Sequence, residues 1–133
     1  MQVRVPVSVG ELFDKVSILR IKERRIADAE KVVNVRRELA VLLPELERLP
    51  AGAALRRTWL EELDAVNGRL WEIEDEIRAC EARRDFGETF IGLARAVYRT
   101  NDERARIKRE INRATGSDLV EEKSYVDPDG EGL

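Results

Sequence analysis

The sequence predicts an all-α fold: an antiparallel helical bundle with a long hairpin between its third and fourth helices. Three observations point there. From Trp59 onward, Trp59, Leu63, Val66, Leu70, Ile73, Ile77 and Cys80 alternate spacings of four and three, a heptad seam over about three repeats. Charged residues make up 38% of the 133 positions and aromatic residues only 5%, with heavy use of the helix formers Ala, Leu, Glu and Arg. Glycine and proline gather near the ends and at two internal joints, Pro50-Ala51-Gly52 and Asp85-Phe86-Gly87.

Residues 2–7, QVRVPV, alternate valine with other side chains and predict a short strand, which Pro6 confines to a sheet edge. Ser8-Val9-Gly10-Glu11 is a capping box, with Glu11 expected to reach back to the start of helix 1. Helix 1 is predicted over 9–27, with an apolar stripe of Leu12, Val16, Leu19 and Ile26. Ile18 and Ile21 lie off that stripe, so this helix is apolar on two sides: it either sits between others or carries a second interface.

Helix 2 follows a break near Asp28, with Val32, Val35, Leu39, Leu42 and Leu46 on one stripe; Pro44 is expected to kink it or to begin a new short segment. Helix 3 is predicted over 53–83 and helix 4 over 88–114, ended by Gly116. The short joint between them makes an αα-hairpin in which Glu72 and Glu76 lie beside Arg95 and Arg99. Residues 1–116 thus form a single helical-bundle domain. Residues 117–133 form a tail with six acids against one lysine, partly disordered, with DPDGEGL at its end.

Composition excludes several chemistries. There is no histidine, which removes Ser-His-Asp and Cys-His nucleophilic sites and histidine-bound metals. The single Cys80 cannot form an internal disulfide and is expected to be a small buried side chain; with no signal peptide evident, a cytoplasmic location is expected. Net charge is −3, so neither nucleic acid nor a membrane is an expected partner. Glu11-x-x-Asp14, Glu61-x-x-Asp64 and Glu72-x-x-Asp75 have a spacing that can hold magnesium, but in so acidic a chain such pairs arise by chance; no metal and no cofactor are expected.

The most informative pattern is on helix 4. Tyr98, Asn101, Ala105, Lys108 and Asn112 fall on one face, roughly 110° from the apolar stripe. Amides and an ammonium beside small alanines make a shallow polar strip suited to an anion, a carboxylate or a partner helix. Lys22 and Arg25 of helix 1 join it if helices 1 and 4 are neighbours. The candidate ligand- or partner-binding residues are therefore Lys22, Arg25, Asn101, Lys108 and Asn112. Ile18 and Ile21 are the candidate dimer interface. The competing use of the strip is bonding to the acidic tail.

Residues 13–25, FDKVSILRIKERR, resemble the first long helix of the all-helical chorismate mutases, with Arg24 on a catalytic arginine; Val7 and Val35 stand where that family carries charges. The blocks SVGELFDKVSILRIKERRI, LWEIEDEIRACE, DFGETFIGLARAVYRTNDERARIKREIN and LVEEKSY resemble an uncharacterised family of short helical bacterial proteins, a domain of unknown function, over residues 2–125. That resemblance implies a bacterial, autonomous protein and no activity. The functional expectation is a non-enzymatic protein acting through protein–protein contacts as a homodimer. The alternative is a small-molecule site, or an enzyme for an anionic substrate, in a Lys/Arg/Asn-lined pocket between helices 1 and 4.

Overall fold

The computed structural model describes residues 1–126 and Pro128. Its elements are α1 (Val9–Arg25), α2 (Ala29–Glu47), α3 (Ala53–Arg83) and α4 (Glu88–Thr115). Each boundary has a local cause. The Ser8 hydroxyl accepts from the Glu11 amide at 3.0 Å, satisfying one free donor of the first turn of α1. The Asp28 carboxylate does the same for the amides of Glu30 and Lys31. Gly116 closes α4 at φ 67°, a left-handed conformation that costs glycine nothing.

Two local expectations change. Residues 1–7 belong to no strand, and Val3 and Val5 face solvent: a single segment with no neighbour to pair with makes no sheet. Of the two outcomes expected at Pro44, a new segment does not occur: α2 continues through it to Glu47. The terminal stretch DPDGEGL lies outside the described residues except for Pro128.

α1 is the hub of the bundle. It packs against α2, α3 and α4, and α3 pairs with α4. Its core face sets Leu12, Phe13, Val16 and Leu19 against Val35, Leu39 and Leu46 of α2, Trp59 and Leu63 of α3, and Ile111 of α4. Phe13 meets Trp59 edge to face, with centroids 5.4 Å apart. The second apolar side of α1 is used inside the same chain: Ile21 is 1% exposed and Ile18 half-buried. Ile21 is thus covered by the chain's own helices, whereas Ile18 keeps part of its surface open.

The heptad seam is real but unevenly covered. Trp59, Leu63, Val66 and Cys80 are buried, whereas Leu70, Ile73 and Ile77 stay half-buried. Leu63→Ala should cost about 2–5 kcal/mol, and Leu70→Ala clearly less, because less of Leu70 leaves water on folding. Urea unfolding of the two variants checks this; equal losses would contradict the burial gradient. Arg69 pairs with Glu103 at 2.9 Å, in keeping with the antiparallel register of α3 and α4. Glu72 is taken instead by Arg25 of α1, at 2.5 Å.

Candidate functional site

Two polar groupings converge on α4. The first is buried at the meeting of three helices. Asp14 and Ser17 stand on the face of α1 opposite its apolar stripe, and both accept from the side-chain amide of Asn67 on α3, at 2.8 and 3.3 Å. The Asn67 carbonyl accepts from Arg104 of α4 at 3.3 Å, and Asn101 accepts from the same guanidinium at 2.9 Å. Asn67 thus stands between a buried carboxylate and a half-buried cation. Arg104 is held by two neutral amide oxygens, and among the described residues no carboxylate pairs with it directly. Its charge is directed but not quenched.

The second grouping joins the start of α1, the end of α4 and the tail. Asn112 accepts from the Gly10 amide at 2.7 Å and donates to Glu121 at 3.2 Å. Glu121 also accepts from the Ser8 hydroxyl. The Val9 amide donates to Ser117 at 3.1 Å. Glu11 does not complete the capping box; its carboxylate turns to Lys108 at 2.5 Å, the stronger partner because it is charged. Farther along, Lys123 meets Asp102 at 3.7 Å. The tail therefore runs back along α4.

Burial alone would raise the pKa of Glu121. The Ser8 hydroxyl, the chain's own amide, the Lys108 charge and the Asn112 amide outweigh it and hold the carboxyl below its ordinary value. A group with a lowered folded-state pKa stabilises the docked tail above its unfolded value, about 4.3, and loses that contribution as pH falls through the folded value. Tail amides should accordingly shift toward free-chain positions on acidification, and Glu121→Gln should show a similar loosening at neutral pH. Tail signals indifferent to both changes would contradict this docking.

Between α4 and the tail lies a cleft of about 600 Å³, within the range of ligand sites. Its lining includes Tyr98, Asn101, Asp102, Arg104, Lys108 and Arg109 from α4, and Glu121, Lys123 and Tyr125 from the tail. Four cations face two carboxylates there, in a chain whose net charge is −3.

Of the residues expected from sequence, Asn101 and Lys108 line this cleft. Asn112 is buried beside it and serves Gly10 and Glu121, the tail-bonding use that competed with a site. Lys22 and Arg25 are not brought in: Arg25 is spent on Glu72, and Lys22 does not line the cleft. The cleft is walled by α4 and the tail rather than by helices 1 and 4, because α1 packs flush on α4 at Gly10.

Sequence reading missed Arg104 as a site residue, although an arginine on the apolar stripe of α4 was the available signal. It missed Asn67 and the tail lining too, since neither shows a periodicity of its own. Arg24, the position shared with the chorismate mutases, pairs with Asp64 at 2.8 Å on the surface. Among the described residues no group of three or more acidic or thiol side chains is placed to hold a metal ion, and no helix is long and apolar enough to cross a membrane.

No curated protein and no solved structure matches this chain. Residues 3–131 match the model of a family of unknown function, DUF6165. With nearly its whole length covered, the chain belongs to that family.

Proposed function

We propose that this protein is a binding protein for a small anionic molecule, a carboxylate or phosphate carrying a ring, held in the cleft between α4 and the tail. The observation that carries the reading is the gathering of Arg104, Lys108, Arg109 and Lys123 with Tyr98 and Tyr125 on one concave surface of an acidic chain. The guanidinium groups of Arg104 and Arg109 supply the charge that selects an anion, Lys108 and Lys123 being paired already with Glu11 and Asp102, and tyrosine rings supply flat apolar area for a ring. The reading is one of binding, with no reaction assigned. Its proposed setting is a reducing cytoplasm, with which the lone, buried Cys80 thiol agrees.

Phenyl phosphate is a suitable probe because it joins both chemistries. A ligand that binds only the folded state raises the thermal midpoint; at a hundredfold excess over Kd the gain is about 2.7 kcal/mol. Phenyl phosphate should stabilise the full chain, inorganic phosphate less, and added salt should weaken both effects. Arg109→Ala should lower the affinity at least about tenfold, since Arg109 is a half-buried cleft cation outside the Asn67 network. No stabilisation by phenyl phosphate, benzoate or phosphate at millimolar concentration would overturn the reading.

A further inference from the structure

The α3–α4 hairpin extends past the body of the bundle. α1 runs beside α3 in the same sense: Phe13 stacks on Trp59, Asp14 meets Asn67, and Arg25 at its last turn reaches Glu72. Beyond that level α3 and α4 continue as a two-helix arm. In the body, the seam residues Leu63, Val66 and Ile111 are fully buried. In the arm Cys80 is likewise buried, but the larger side chains Ile73, Ile77, Phe90 and Leu93 are only half-buried. Near its tip Phe86 is 48% and Ile91 54% exposed. Two helices cover one side of such a seam; a second pair is what covers the rest.

Charge is divided between the two helices of the arm. Over the arm, residues 72–83 of α3 carry Glu72, Glu74, Asp75, Glu76 and Glu81 against Arg78 and Arg83, and residues 88–100 of α4 carry Arg95 and Arg99 against Glu88. Two of the acids are used elsewhere than across the hairpin. Glu74 pairs with Arg78 of its own helix at 3.1 Å, and Glu72 pairs with Arg25. Arg95 and Glu76 are exposed, and neither has an ion-pair partner among the described residues.

We infer that the arm is a self-association surface whose occupant is the arm of a second copy of this chain. The two form a four-helix bundle about a two-fold axis parallel to the helices. That axis lays the acidic α3 of one copy on the basic α4 of the other, twice over. An axis across the helices would lay α3 on α3 and set acids against acids, which disfavours it. A self-complementary charge pattern is what a second copy supplies. About twelve residues per helix make an arm roughly 18 Å long. That is short for a standard interface, so association is concentration-dependent. The surface meets the cleft at Val97, but Glu76 and Arg95 do not line the cleft, so either can fail without the other.

Sedimentation of the full chain from micromolar to near-millimolar concentration tests it. The unmodified chain should pass from monomer to dimer. Arg95→Glu and Glu76→Arg should each weaken the dimer about tenfold with helix content unchanged, since both positions are exposed. An equimolar mixture of the two variants should regain association, because opposite charges again face each other in the heterodimer. A chain monomeric at every concentration would overturn the inference. So would a dimer indifferent to both substitutions, or a mixture that fails to recover.

Discussion

Gly10→Ala should loosen α1 from α4 and cost about 1–3 kcal/mol or more, although alanine is the better helix former. A Cβ at position 10 would stand 2.6 Å from the Lys108 carbonyl oxygen, 3.0 Å from its Cα and 2.9 Å from the Asn112 side-chain oxygen. Two of those three atoms are backbone, so relief requires the helices to separate rather than a side chain to swing. Separation also breaks the bond from the Gly10 amide to Asn112 and lengthens the Glu11–Lys108 ion pair. Because Asn112 holds Glu121 as well, the tail loosens with it. Urea unfolding should show the loss in stability, and a variant as stable as the parent would remove Gly10 as the contact that sets the α1–α4 distance. Gly68, where an added methyl group would meet nothing within 4 Å, is the control: alanine there should stabilise by up to about 1 kcal/mol through helix propensity.

Asn67→Ala should cost about 2–4 kcal/mol, well beyond an ordinary polar surface change. It removes the amide that donates to Asp14 and Ser17 and the carbonyl that accepts from Arg104. Asp14 is buried, and a carboxylate that loses its donor there carries an uncompensated desolvation cost. In a double-mutant cycle Asp14→Ala should cost much less when Asn67 is already alanine than when it is present. Additive losses would mean that the two residues do not act as a unit. Arg104, released from Asn67, should also lose its position in the cleft, so ligand affinity should fall in the single variant.

The helices were legible from the chain because their signals are local. The Ser8 cap, the Asp28 break, the Gly52 joint and Gly116 act within a few residues of the boundaries they set. Heptad spacing marked the seam of α3, and the joint at 85–87 marked the hairpin. Coverage of that seam was not legible, because it depends on how far α1 reaches along α3, and Arg25 stops level with Glu72. The same limit explains Ile21. Its place off the main stripe showed that α1 is apolar on two sides, but only the packing of three helices on α1 decides that the second side is internal. The polar strip of α4 was visible by spacing, and two of its residues, Asn101 and Lys108, line the cleft. The opposite wall was not visible, since Glu121, Lys123 and Tyr125 come from an extended segment with no periodicity. Lys22 and Arg25 were drawn in by an assumed neighbourhood of helices that Gly10 realises at the other end of α1, near Lys108 and Asn112.

The measurement that bears most directly on the proposed function is an amide NMR titration of the isotopically labelled full chain with phenyl phosphate. Saturable shifts should gather on residues 97–109 of α4 and 119–126 of the tail, weakened by Arg109→Ala, with α2 unmoved. No saturable shift, or shifts that spread over α2 and the hairpin tip while leaving residues 97–109 in place, would contradict it.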